Sequence, residues 1–219
     1  MSRAKEDTYK HKGLRKLLVE TIIKKGIKDK RVLAAISLIP RHFFLDSIFD
    51  EIAYEDKAFP ITAGQTISQP YTVAYQSELL DVEAGMKVLE IGTGSAYQAV
   101  ILAAMDAKVF TIERQKKLYD ENLKFEYLKE FSNIKFFYGD GYKGLPTYAP
   151  FDRIIITAAA PFIPTALMNQ LKIGGKLVVP LGEGNVQQMQ RITKTDVDKV
   201  KIESFENFSF VPMLQGKNT

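Results

Sequence analysis

The chain has 219 residues, 46% of them hydrophobic and 26% charged, with a net charge of +4, no cysteine and two histidines. That balance describes a folded globular protein, and the missing cysteines exclude disulfides, thiolate catalysis and cysteine-ligated metal. A basic isoelectric point near 9.0 suggests nucleic acid only weakly, because lysine and arginine are spread along the chain among acids.

The charged N-terminus MSRAKEDTYKHK lacks a signal-peptide core, and the longest apolar runs, such as Ala99 to Met105, fall far short of a membrane span. A cytoplasmic protein without membrane contact is the expectation. His11 and His42 are distant in sequence and read as surface or packing residues, so no metal site is expected.

Leu14, Leu17, Leu18, Thr21 and Ile22 fall at helical spacing within Lys12 to Lys25, and Gly26 ends the run. Asp29 is a plausible N-cap for a second helix, which Pro40 stops. From Asp46 to Tyr75 regularity breaks down in a segment rich in aromatic residues, glycine and proline, the kind of long loop that usually serves function. Ser68 stands where a helix N-cap would, just ahead of Pro70, a role compatible with a place in a site. No G-x-S-x-G surrounds it, which argues against a hydrolase nucleophile.

The stretch KVLEIGTGSAYQAVILAAM, Lys87 to Met105, reads as a buried strand, a glycine turn and a helix start. Gly92 and Gly94 let the backbone turn sharply and approach a ligand. Glu90, inside the strand, would oppose a pyrophosphate and suits a cationic ligand without phosphate; S-adenosylmethionine meets both conditions. Ala107 to Glu113 is a second strand ending in an acid 21 positions after Gly92, the place from which a carboxylate accepts from ribose hydroxyls. A helix follows from about Gln115 to Phe131, with Tyr119, Leu123, Tyr127 and Phe131 as its core-facing stripe.

Ile134 to Tyr138 is a third strand running into Gly139, Asp140 and Gly141. Asp140 is either turn chemistry or, at the carboxyl end of a parallel strand, a contact to an adenine amino group, with Gly141 admitting the ring. Phe151 to Thr157 and Lys176 to Leu181 are further strands around a short helix, Pro164 to Leu171; Gln188 to Thr193 and Lys199 to Phe205 form an antiparallel finish. The fold class is α/β: a doubly wound, mostly parallel, Rossmann-like sheet with N-terminal helices and a C-terminal antiparallel extension. Residues 1–80 would form a helical cap with the loop, and 81–219 the core, as one integrated domain.

The motifs RHFFL (Arg41 to Leu45), GQTISQPYTVA (Gly64 to Ala74), VLEIGTGS (Val88 to Ser95), GDG (Gly139 to Gly141), FDRIIITAAAP (Phe151 to Pro161), LKIGGKLVVPLG (Leu171 to Gly182) and FVPM (Phe210 to Met213) together resemble the protein-L-isoaspartate (D-aspartate) O-methyltransferase family. GQTISQP is the specific element, since the glycine motif is shared by many methyltransferases. The resemblance implies S-adenosylmethionine as cofactor and damaged, isoaspartyl-containing proteins and peptides as substrates. It implies Ser68 as the active-site residue, Ile67, Gln69 and Pro70 beside the cofactor, and Glu90, Gly92, Gly94, Ser95, Glu113, Arg114, Asp140 and Gly141 as cofactor contacts. It also implies that the segment near Val211 offers backbone contacts to the peptide. One departure is Ala96, where bacterial members usually carry a third glycine. A positive φ there would weaken cofactor binding, whereas a helical alanine is harmless; the second reading is preferred. A methyltransferase of another substrate, or a non-catalytic homologue, are the alternatives.

Overall fold

The computed structural model describes residues 6–219. The remainder, residues 1–5 at the start of the charged N-terminal stretch, lie outside the described residues. Helix α1 (Tyr9–Lys24) starts at the N-cap Thr8, and Gly26 leaves it at φ 107°. Leu18 and Ile22 are buried as the spacing predicts, but Leu17 is turned to solvent. Helix α2 (Lys30–Leu38) is capped by Asp29, whose carboxylate accepts from Arg31 N. The irregular segment that follows contains two minimal strands, β1 (Phe59–Pro60) and β2 (Thr66–Ile67), paired antiparallel.

Helix α3 (Pro70–Leu80) leads to β3 (Lys87–Ile91), α4 (Tyr97–Ala104), β4 (Lys108–Glu113), α5 (Lys116–Lys124) and β5 (Ile134–Tyr138). Then come β6 (Phe151–Ile156), α6 (Thr165–Gln170), β7 (Leu171–Leu181), β8 (Gln187–Lys194) and β9 (Val200–Phe208). The main sheet has the order β5-β4-β3-β6-β7-β8-β9. From β5 to β7 the strands are parallel; β7, β8 and β9 form the expected antiparallel extension.

Alternation along the strands sorts two cores. Val88, Val109 and Ile155 face the layer of α1 to α4, while Leu89, Ile91, Phe110, Ile112 and Ile154 face α6 and the aromatic loop residues Tyr142 and Tyr148. The strand order reverses between β3 and β6, so their carboxyl ends open a crevice of the type where α/β sheets bind ligands.

One predicted helix is shorter than expected. The chain leaves α5 at Lys124, and Glu126–Glu130 is a separate 3₁₀ turn. The buried positions are Leu118, Asn122 and Leu128, with Leu123 exposed, instead of the stripe through Leu123. Asn122 donates from Nδ2 to Gly94 O at 3.0 Å, and that bond turns the Leu118–Asn122 face inward. Among the described residues no helix is long and apolar enough to cross a membrane.

Candidate active site

The crevice is built first from the β3–α4 turn. Gly92 has φ 97° and donates to Ile112 O at 2.9 Å. Gly94, at φ 52°, donates to Glu113 Oε2 at 2.9 Å. Ala96 corrects the preferred reading of the motif: it is not helical but sits at φ 67°, ψ 8° as the N-cap of α4, fully buried. A left-handed alanine costs about 1–2 kcal/mol, partly offset because glycine has more unfolded-state freedom to lose. Ala96→Gly is therefore expected to raise unfolding stability by about 0.5–1 kcal/mol in urea titrations.

Beneath the turn lies Glu90, at 0% exposure. It occupies the face of β3 otherwise lined by Val88, opposite Thr111 in register. Thr111 Oγ1 donates to Glu90 Oε2 at 2.5 Å, and the Thr93 hydroxyl lies 2.6 Å from the same threonine oxygen. Burial pushes the Glu90 carboxyl up to about 8, against the pull of the Thr111 bond, with Glu113 adding to the rise. Its Oε1, like Oε1 of Gln76 and of Gln98, has no hydrogen-bond partner among the described residues. Buried acceptors without donors are costly, and of these three only Gln98 reaches the crevice wall, where a ligand that brings positive charge or donors can meet it.

Glu113 closes β4. Its Oε1 and Oε2 accept from the backbone N–H groups of Gln115 and Gly94, at 2.8 and 2.9 Å. Burial raises its pKa, and those backbone donors hold it down. Each oxygen keeps a lone pair for a further donor.

Gly141 is required by packing: a Cβ there would lie 2.4 Å from Ile91 Cγ2. Asp140 makes the turn that one sequence reading anticipated, accepting from Tyr142 N at 3.0 Å.

Ile67, Ser68, Gly92, Gly94, Ser95, Glu113, Arg114 and Gly141 line one cleft at the carboxyl ends of the strands. Gln69, Pro70, Glu90 and Asp140 do not lie on its wall. Ser68 is not the N-cap of α3; Gln69 holds that position. The serine lines a second groove as well, with Gln69, Tyr71 and the end of β9.

Sequence reading missed the inner wall of Tyr97, Gln98 and Thr157, and took the segment near Val211 as a peptide contact without placing Val211 to Leu214 as the floor of this cleft. Only FVPM hinted at the floor. It is held by Ala159 N donating to Val211 O and Met213 N donating to Ala159 O, each at 2.8 Å.

The two histidines, distant in sequence, stack with ring centroids 3.7 Å apart. With Asp7 they are the one group of three such side chains able to converge on an ion among the described residues. Their atoms already serve a network: His42 Nδ1 pairs with Tyr54 Oη at 2.7 Å, His42 Nε2 with Glu6 O at 3.2 Å, and both Asp7 oxygens accept from Arg15 at 3.0 Å. This ties α1 to the segment after α2.

A parallel sheet reversing beside a glycine turn, an acid ending the next strand, and an antiparallel extension together define the Rossmann-like fold of the S-adenosylmethionine-dependent methyltransferases. The family described as protein-L-isoaspartate(D-aspartate) O-methyltransferase matches residues 13–218. The chain belongs to that family. It is 55% identical over 213 residues to the protein-L-isoaspartate O-methyltransferase of Flavobacterium psychrophilum, covering 97% of this chain and all (100%) of that one.

The Christiangramia forsetii protein of the same name is 52% identical over the same shares, 97% and 100%. Among solved structures, a candidate protein-L-isoaspartate O-methyltransferase from Plasmodium falciparum, in complex with S-adenosyl-L-homocysteine, superposes with a TM-score of 0.78 at 27% identity, over 93% of this chain and 98% of that one. A longer protein-L-isoaspartate O-methyltransferase gives 0.82 at 28% identity, over 90% of this chain and 65% of its own length.

Proposed function

We infer that this protein transfers a methyl group from S-adenosylmethionine to the α-carboxylate of L-isoaspartyl residues in damaged proteins and peptides, which starts their repair. The observation that carries this reading is the junction at Ser68. The cofactor-type cleft and the open groove beside β9 share Thr66, Ser68, Thr157 and Val211, so a chain lying in the groove meets the cleft at the serine.

When bound, S-adenosylmethionine supplies an electrophilic methyl group on a sulfonium centre. Glu113 suits the ribose hydroxyls, and the β3–α4 turn with Glu90 beneath it suits the cationic end. A carboxylate nucleophile is already ionised at neutral pH, so no strong general base is needed. Ser68 orients the carboxylate by a hydrogen bond, and the surrounding loop excludes water from the line of attack. After release, the backbone nitrogen that follows attacks the ester carbonyl and expels methanol, giving a succinimide. Its hydrolysis returns some normal aspartate without the enzyme.

The same reading takes the protein as cytoplasmic, with peptides instead of nucleic acid or membrane as partners; the mixed charge and the lack of cysteine support it. Transfer of labelled methyl to an isoaspartyl peptide and to its aspartyl twin tests the assignment. Labelling of the isoaspartyl form alone is expected, and equal labelling of both would overturn it. In the same assay Ser68→Ala should lower turnover by about 10- to 100-fold while cofactor affinity stays within about threefold.

A further inference from the structure

We propose that Asp56 is a positioning residue for this reaction, holding Ser68 in place from outside both clefts. The inference rests on the function given above. Helix α3 begins without a cap of its own, since the N-cap residue Gln69 makes no side-chain cap bond. Pro70, at the first helical position, has no N–H to offer, so the first free donor is Tyr71 N. That donor goes to Asp56 Oδ1 at 2.8 Å.

Asp56 Oδ2 accepts from Gln69 Nε2 at 3.0 Å and from Lys25 Nζ at 2.5 Å. Its side chain is only 9% exposed. A largely enclosed carboxylate thus replaces the missing cap from 13 residues upstream, and its charge faces the positive end of the helix. The residue just before this anchored pair is Ser68. On its other side, Ile67 is fixed by pairing with Phe59 in the β1–β2 ribbon.

The anchor is itself anchored. Arg41, fully buried, donates from Nε to Ala53 O at 3.0 Å and from Nη2 to Lys57 O at 3.2 Å, clamping the segment on both sides of Asp56. Arg41 also lies over the Tyr97 ring, 5.0 Å from its centroid. The serine's position is therefore transmitted from the helical core through Arg41, the 53–57 segment and Asp56. Asp56 lines neither cleft, so it acts on the reaction only through Gln69, Tyr71 and the serine between its two anchors.

The test compares Asp56→Ala, Asp56→Asn and Lys25→Ala, measuring peptide kcat and KM, cofactor Kd and thermal stability. Wild type must first methylate the isoaspartyl peptide; failure there sinks the functional reading and not the anchor. Asp56→Ala is expected to lower peptide kcat/KM by about 30-fold with cofactor Kd within about threefold. Asparagine keeps an amide oxygen for Tyr71 N but turns a donor toward Gln69, so an intermediate loss of about fivefold is expected. Lys25→Ala removes the outer ion pair and a half-exposed cation 5.1 Å from the Tyr71 ring centroid but leaves both bonds from Gln69 and Tyr71 to Asp56, and should stay within about twofold of wild type.

Peptide kcat/KM within about twofold of wild type in both Asp56 variants overturns the proposal, as does a loss of cofactor affinity equal to the loss on peptide. Should Asp56→Ala fail to fold, the asparagine variant decides alone by the same two criteria.

Discussion

From about pH 5 to about pH 9 the cofactor-free protein is expected to lose stability through Glu90, and Glu90→Gln to remove that part of the loss. The carboxyl is held up at about 8 by burial, against 4.5 for an ordinary glutamate. Between those values the folded protein keeps a proton that the unfolded chain has released, so stability falls as pH rises. It is fully present below the ordinary value and lost through the folded one. The loss is on the order of a few kcal/mol, since a tenfold change in proton affinity corresponds to about 1.4 kcal/mol.

His42, whose pKa burial lowers, acts in the opposite direction below its ordinary value, where charging it favours the unfolded chain. Denaturant titrations across the pH range, wild type minus Glu90→Gln, isolate the glutamate. A difference that does not change with pH would show that Glu90 stays ionised in the empty fold. Cofactor binding should carry the complementary signature. A cation set against Glu90 favours the ionised form, so affinity should rise with pH in the range where the empty protein is still protonated. S-adenosylhomocysteine lacks the sulfonium charge and should gain less, which calorimetry of the two ligands at low and high pH would reveal.

The second large effect is expected at Gly92. Its φ of 97° is one that side-chain-bearing residues rarely adopt, and a Cβ would lie 2.7 Å from Thr157 Oγ1. That hydroxyl cannot simply move aside, because it donates toward Gly92 O at 2.7 Å and Ile91 O at 3.0 Å, fastening β6 to the turn. Backbone strain and overpacking together put Gly92→Ala at about 3–4 kcal/mol of destabilisation. Because the same turn lines the cleft, cofactor binding should fall below detection in calorimetry. Thr157→Ala opens space for the methyl group but also loses the two bonds to Ile91 O and Gly92 O. Gly92→Ala is therefore expected to cost less in a Thr157→Ala background than in wild type, and equal costs in the two backgrounds would assign the whole loss to the backbone.

The parallel strands β3, β4 and β5 were legible because each is a short apolar run ending in an acid or followed by glycine; Ile134–Tyr138 has the same limits in the sequence and in the fold. What sequence periodicity could not show were bonds between segments. A four-residue spacing of aromatic and aliphatic side chains suggested one long helix through Leu123, yet a polar residue, Asn122, faces inward because it has a carbonyl to satisfy. Ser68 looked like a cap because local patterns assign caps from the same stretch, whereas α3 takes its cap from Asp56. Ala96 was visible as a departure from the motif, but its torsion is imposed by the turn closing on Thr93 O, with Ala96 N donating at 2.8 Å. The acids Glu90 and Glu113 were read from position alone, and both lie where strand register carries them.

The floor of the cleft, Val211 to Leu214, bears on biosynthesis. A ribosome delivers a chain from its N-terminus, so β3, β4, β5 and β6 are available to pair long before this segment has been made. Until Met213 reaches Ala159, a nascent chain can own the glycine turn and the strand-end acid and still lack a closed pocket. Catalytic competence therefore arrives only after every strand of the main sheet has been synthesised, and a polypeptide terminated before Val211 would lack the closed pocket.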